Sequence, residues 1–247
     1  LSRHLPAHHR TARHLTVRPL LAALVTVALA AFLTHPASAQ EALSPAAQEA
    51  VQDTRDAIDA AIAAGTAPFP DRPAWQQAAD LAARAGTLAP GHPTPLALLA
   101  EVHSRSNFFA PAWQAWQDAF AAGYALTPDT TPLFIKVGEE LAWSSYERGN
   151  LEAAASYHRT ILERVPFHRN ARVWLGRILI EQGRPADAVP YWQAAAEQDP
   201  SDDRAAYYLR LAQDQAKHGT EATNRFREGV RAYEAGDLNA AADAFAR

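Results

Sequence analysis

Residues 169–202 read RNARVWLGRILIEQGRPADAVPYWQAAAEQDPSD. In its second half Ala188 is followed four residues later by Trp192. The same step recurs along the chain. Ala154 and His158 stand 34 residues before it, and Ala222 and Phe226 stand 34 after it. Farther upstream, Ala112 precedes Trp116, and Ala78 lies 34 residues before Ala112. The one irregular interval, Ala112 to Ala154, is 42 residues, a period of 34 enlarged by an eight-residue insertion. A 34-residue period built on alanine, three residues and a large side chain is the signature of a helix–turn–helix unit that stacks into a solenoid. The expected class is all-α, and a binding role is favoured over catalysis.

Written out in that frame, units span about 93–126, 135–168, 169–202 and 203–236, with a partial last unit to 247. The insertion is TPDTTPLF, 127–134, and its later residues are expected to lengthen the next helix. Residues 40–92 read as N-terminal helices with a degenerate repeat. Ser44-Pro45 is a helix start, a capping hydroxyl followed by proline in the first turn. That helix runs to about Ala64 and stops at Gly65. A proline-rich loop follows, then a second helix over about 74–87.

These units resemble the tetratricopeptide repeat. In that family a unit carries leucine at position 7, a small residue at 8, often glycine at 15, alanine at 20, an aromatic at 24, alanine at 27 and proline at 32. The third unit matches with Leu175, Gly176, Gly183, Ala188, Trp192, Ala195 and Pro200. The second matches with Leu141, Ala142, Gly149, Ala154 and Pro166, but has His158 at the aromatic position. The first keeps Leu99, Ala100, Ala112, Trp116 and Ala119 and has Tyr124 in place of proline. The fourth keeps Leu209, Ala222 and Phe226, with Arg210 at the small position. The 59–92 stretch matches only in its second half, through Ala78, Ala85 and Pro90. The resemblance implies a right-handed α-solenoid of antiparallel helix pairs, the superhelix of that family. Positions 8 and 20 then meet where the two axes approach most closely, and each pair depends on its neighbours for stability.

The C-terminal frame is open. Residues 221–235 fit the second helix of the fourth unit through Ala222 and Phe226. They fit equally the first helix of a fifth, through Gly229, Ala232, Tyr233, Gly236, Ala241 and Phe245. The chain stops at Arg247 in mid-helix by this frame, which reads as truncation of a longer protein or as pairing with another molecule.

Residues 1–39 read as a secretory signal peptide. They carry Arg3, Arg10, Arg13 and Arg18 and no acidic residue, then the 14-residue apolar run Leu20 to Leu33, then Ala37-Ser38-Ala39. The apolar run is short for a membrane span of ~20 residues, and the small-x-small site suits cleavage. An uncleaved anchor is the competing reading. The opening Leu1 and the absence of methionine read as a non-standard start codon or a trimmed fragment. The expected location is exported, periplasmic or extracellular, in a bacterium. The arginine-rich, lysine-poor composition, with only Lys136 and Lys217, fits a GC-rich bacterial genome.

Removing those four arginines from the 23 Lys+Arg leaves 19 against 27 Asp+Glu, a net charge of −8. This argues against nucleic acid, which needs clustered basic residues, and no stable membrane insertion is expected after cleavage. With no cysteine, disulfides, thiol catalysis and zinc–cysteine sites are excluded.

Candidate chemistry is sparse. Asp53, Asp56 and Asp59 read as a solvated helix face with Arg55 among them, because a calcium site needs a turn and closely spaced oxygens. Glu101 and His103, two apart, point in different directions on a helix. His158 reads as a packed histidine; His168 and His218 read as helix-end histidines facing a carbonyl terminus. No metalloprotease, nucleophile-elbow, phosphate-loop or dinucleotide motif occurs. No cofactor and no metal are expected, and no enzyme activity.

The resemblance places positions 2, 5, 9, 12 and 13 of each first helix on a concave groove that holds a partner segment. In the second unit these are Lys136, Glu139, Trp143, Tyr146 and Glu147. In the third they are Asn170, Val173, Arg177, Ile180 and Glu181, and in the fourth Arg204, Tyr207, Leu211, Asp214 and Gln215. The family's carboxylate-clamping lysine and asparagine pattern is missing from positions 5 and 9. The groove set expected to carry recognition is Lys136, Glu139, Trp143, Tyr146, Asn170, Arg177, Arg204 and Tyr207. Aromatic anchors of this kind dominate interfaces, although some of them could instead only pack between units. The expected function is an exported scaffold binding a protein or peptide in the cell envelope. The rival readings are a self-associating structural subunit and an envelope hydrolase with an unrecognised site.

Overall fold

Among the described residues the first helix begins where Ser44 accepts a hydrogen bond from the Ala47 N–H at 3.3 Å, with Pro45 as its first residue. The computed structural model describes residues 42–246; the signal segment expected at 1–39 lies outside them. Among the described residues all regular structure is helical. The helices are α1 (Pro45–Ala63), α2 (Pro73–Leu88), α3 (Pro93–Arg105), α4 (Phe109–Ala121), α5 (Thr131–Glu147), α6 (Leu151–Arg164), α7 (Arg169–Glu181), α8 (Pro185–Gln198), α9 (Asp203–His218), α10 (Thr220–Glu234) and α11 (Leu238–Ala246). None of them is long and apolar enough to cross a membrane.

Each helix packs on the next in the chain, and α1 with α3, α3 with α5 and α7 with α9 also touch. The first helices of successive pairs are therefore neighbours, as a solenoid of helix pairs requires. The core follows the same logic. Instead of one centre it forms three clusters in series: α1–α2 with Leu98 and Val102; Trp116 with Phe120, Phe134 and Ile161; and Leu175 with Ile178, Leu179 and Trp192.

Close approach of the helix axes needs small side chains on both sides. Ala100 and Ala112 are fully buried, as are Ala142 and Ala154, and Gly176 and Ala188. The large residues four beyond the alanines, Trp116, His158 and Trp192, are buried too. The two tryptophans differ in one respect. Trp116 Nε1 donates to Ser104 Oγ at 3.0 Å, whereas Trp192 Nε1 is buried without a partner. Ile180 occupies in α7 the place that Ser104 holds in α3, and its hydrocarbon side chain has no oxygen to accept that bond. Trp192 stacks instead on Tyr208, at 4.6 Å between centroids.

The turn inside each pair needs a left-handed residue to close the first helix. Gly149 (φ 74°) and Gly183 (φ 71°) supply it in α5–α6 and α7–α8. In α3–α4 the same position is Asn107, with φ 56°, asparagine being one of the few side chains that tolerate this region. The chain then returns through the Arg184 N–H to the Leu179 carbonyl at 2.8 Å and the Phe108 N–H to His103 at 2.9 Å.

Three irregular segments are tied down by side chains. The loop after α1 is held by Trp75 Nε1 donating to the Ala67 carbonyl at 3.0 Å. In the insertion, Thr127 and Thr130 bond to each other, and 131–134 form the first turn of α5. That turn carries the fully buried Phe134, on which Trp113 stacks. Between α8 and α9, Asp202 accepts from the Arg204 and Ala205 N–H groups and pairs with Arg169. Desolvation opposes ionisation of Asp202, yet these bonds hold its carboxyl below the ordinary range.

At the C-terminal end α10 packs as the first helix of a pair with α11. Gly229 sits so close to the Phe245 ring that a Cβ there would come within 2.5 Å, and Ala241 is buried between them. Ala222 and Phe226 are exposed, Phe226 by 63%. Of the two frames open in the sequence, the fold takes the second. After α9 the chain breaks at Gly219 (φ 87°, ψ 149°) and begins a new first helix directly.

Candidate functional site

The side chains expected in the groove fall into three groups. Glu139, Trp143, Tyr146 and Asn170 come together, and Arg177 joins them from α7. Tyr207 belongs to a separate cleft. Lys136 and Arg204 stand apart from both.

The assembled group spans α5 and α7. Trp143 stacks on Tyr146 at 6.0 Å, and both meet the edge of Trp174, at 5.6 and 5.4 Å. Four residues separate Glu139 from Trp143 and three separate Trp143 from Tyr146, so one face of α5 carries all three. Across the pair junction Asn170 Nδ2 donates to Glu139 Oε1 at 2.6 Å. Arg177 donates from Nε to Glu181 Oε1 at 2.8 Å and from an Nη atom to the Tyr146 hydroxyl at 3.0 Å. The Tyr146 hydroxyl donates in turn to Glu181 at 2.9 Å. The guanidinium lies 5.4 Å from the Tyr146 ring centroid and 5.1 Å from that of Trp174. Burial, and then the bond to the Glu181 carboxylate, push the Tyr146 phenol up. Trp143 remains 47% exposed.

Beside these rings lies a pocket of about 220 Å³, walled also by Glu140 and floored by His158. His158 is 4% exposed, lies nearly parallel to Trp174 with ring centroids 6.3 Å apart, and has Nδ1 buried without a partner. Burial, with a contribution from His168, pushes its imidazole down to about 4. It is therefore neutral at neutral pH.

The second cleft, of about 950 Å³, lies between α9 and α10 and is lined by Tyr207, Leu211, Phe226, Arg227, Val230 and Arg231 among others. The Arg227 guanidinium stands 4.5 Å from the centroid of Tyr207. Lys136 reaches back to the preceding pair, donating to Asn107 Oδ1 at 2.6 Å and lying 5.7 Å from the Phe109 centroid. Arg204 is exposed at the start of α9, 3.8 Å from Asp202.

Several expectations are corrected by the packing. Val173 and Ile180 lean into the core, because their apolar side chains complete the cluster around Leu175. Gln215 is buried beneath α10, with Nε2 donating to Asn224 Oδ1 at 3.3 Å. His168 caps an N-terminus, not a C-terminus: its Nδ1 accepts from the Ala171 N–H at 3.3 Å, since the turn after Pro166 is too short to leave it in α6. Glu101 bonds Arg105 at 2.7 Å, and His103 meets the edge of Phe108. Asp53, Asp56 and Asp59 lie on the exposed face of α1.

Three members of the site were not placed there from the sequence: Trp174, Glu140, and His158, which reads from sequence only as a packed histidine. Trp174 follows a groove position directly, and its aromatic bulk beside Val173 was the available signal. The α10 side of the second cleft was hidden by the open C-terminal frame.

Residues 140–203 and 176–222 match the family model described as the tetratricopeptide repeat. No curated protein matches the chain. Among solved structures it is similar to YrrB, described as a TPR protein with an unusual peptide-binding site, at 18% identity over 74% of this chain and 88% of that one, with a TM-score of 0.43. It is also similar to a tetratricopeptide repeat protein from Parabacteroides merdae ATCC 43184, at 16% identity over 82% and 73%, TM-score 0.44. For PilF of Pseudomonas aeruginosa the values are 16% identity, 80% and 90% coverage and a TM-score of 0.37.

Proposed function

We propose that this tetratricopeptide repeat protein is an exported, non-catalytic scaffold that binds a protein or peptide of the bacterial cell envelope along its row of first helices. One observation carries the reading. Trp143 is half exposed at the junction of two repeat pairs, although it stacks on Tyr146 and Trp174. An exposed tryptophan held by neighbouring rings is pre-organised as an anchor, and such anchors contribute most of the energy of an interface. Tyr207, beside the second cleft, extends the same row.

The test uses Trp143→Ala and Tyr207→Ala with two readouts, in-cell cross-linking to the partner and thermal melting. Loss of a hot-spot anchor costs about 2 kcal/mol or more of binding, so the cross-linked partner should fall by more than tenfold while the melt moves little. Unchanged cross-linking with a lowered melt would assign both rings to the core and overturn the reading.

Export rests on the leader pattern of residues 1–39. Intact-mass measurement of the protein recovered outside the cytoplasm should give a chain beginning at Gln40. A full-length species stable in the membrane fraction would replace export with an anchor.

A further inference from the structure

We propose that the pocket between α5 and α7 receives a cationic side chain, lysine or arginine, from an extended partner segment. The proposal rests on the groove reading above and adds the chemistry of one subsite.

Three features of the pocket point to a cation. The first is its aromatic wall. Trp143, Tyr146 and Trp174 all line a volume of about 220 Å³, room for one long side chain. Ring faces attract ammonium and guanidinium groups through their quadrupole. Two of these rings already hold a guanidinium: Arg177 lies against Tyr146 and Trp174 without being part of the pocket wall.

The second is charge. Glu139 and Glu140 both line the pocket, and no lysine or arginine does. Glu139 is engaged, accepting from Asn170 at 2.6 Å, with His168 Nε2 3.8 Å away. Glu140, exposed at the edge of the pocket, has neither a hydrogen bond nor an ion pair among the described residues, so no protein group balances its charge. A carboxylate or phosphate would be repelled there. An apolar side chain would leave Glu140 as it is.

The third is the floor. His158 is more than nine-tenths buried, yet its Nδ1 has no partner. Buried polar atoms without partners are uncommon. A guanidinium or ammonium entering from the open side would lie against this ring, and a turn of the imidazole would let Nδ1 accept from its N–H. The three features belong to different elements: the carboxylates and two rings to α5, the third ring to α7, the histidine to α6. The subsite exists only because two repeat pairs stack.

The test uses the full chain, labelled with ¹⁵N, and four amidated pentapeptides that differ only at the central residue: lysine, arginine, norleucine or citrulline. Indole N–H shifts report the site, and titration gives relative affinities. The lysine and arginine peptides should move the Trp143 and Trp174 indole signals and bind at least tenfold more tightly than their neutral counterparts. Glu140→Gln should shrink that ratio severalfold without changing the melt, and Trp143→Ala should abolish the shifts. Equal binding of norleucine and lysine, or an undiminished ratio in Glu140→Gln, overturns the proposal. So does tetramethylammonium that moves both indoles while the charged peptides do not, because the pocket would then serve a free small cation. If the peptides show no charge preference while partner cross-linking still depends on Trp143 and Tyr207, the subsite falls and the groove stands. If the preference holds but cross-linking is indifferent to both residues, the groove reading falls.

Discussion

Replacing Gly176 by leucine is expected to lower the melting temperature by several degrees. A Cβ built on Gly176 would lie 2.7 Å from Trp192 Nε1 and 2.9 Å from Cε2. Trp192 has nowhere to retreat: it is 2% exposed, stacked on Tyr208 and packed among Leu175, Leu179 and Ala188. Leucine adds three further carbons behind that Cβ. Overpacking a dense core costs about 1–3 kcal/mol, and each kcal/mol is about 2–4 °C for a domain of this size. Gly86→Ala provides the contrast. Gly86 lies inside α2 with nothing within 4 Å of an added Cβ, so alanine there should raise stability through helix propensity, by up to about 1 kcal/mol. Thermal melts of the two variants should therefore move in opposite directions. A Gly176→Leu melt superimposable on the parent would mean that the helix axes do not approach at this point.

The same contact explains why so much of the fold was legible. The 34-residue ladder is a record of helix contacts, because only small side chains survive where two axes meet. Ala112, Ala154 and Ala188 could be recognised without coordinates, and all three are fully buried. Where the rule admits substitutes it became harder to read. Asn107 closes the α3–α4 turn with the same positive φ as Gly149 and Gly183, but asparagine is common elsewhere and does not announce a turn. At the C-terminal end Ala222/Phe226 and Gly229/Ala241/Phe245 satisfy two frames on one helix. Periodicity weighs them equally; packing does not, since Gly229 alone meets a ring and Ala222 faces solvent.

The candidate site was legible in part for a related reason. Position within the unit put Glu139, Trp143, Tyr146, Asn170 and Arg177 on neighbouring first helices, where they do meet. Position could not say which neighbours share a pocket. That depends on the offset between α5 and α7, which brings Trp174 from just beyond a groove position across to Trp143 and Tyr146. Nor could it foresee that Val173 and Ile180, at equally good positions, would turn into the core. An apolar side chain at a half-buried place follows the area it can bury.

His158 is the residue where the repeat departs from its own pattern, and its consequence is a dependence on pH. Trp116 and Trp192 hold the equivalent place in the first and third units, while His158 fills it in the second with an ionisable ring. Burial, with His168 nearby, depresses its pKa from 6.5 to about 4. Between these values the unfolded chain takes up a proton that the folded chain refuses. Stability therefore falls as the pH drops from about 6.5 towards 4, and nothing is lost above 6.5. At 1.36 kcal/mol for each pKa unit, the loss over the whole interval is about 3 kcal/mol. His158→Phe restores an apolar ring at this position and removes the proton. Its stability relative to the parent should be flat above pH 7 and grow by about 3 kcal/mol between pH 6.5 and 4, measured by urea unfolding at each pH. Asp202 and Glu152, whose carboxyls are also held low, titrate in both proteins and cancel in the difference. Parallel curves for parent and variant would mean that the imidazole protonates within the folded chain at its ordinary pKa. The space between α6 and Trp174 would then have to be open to water, and the pocket floor described above would be wet.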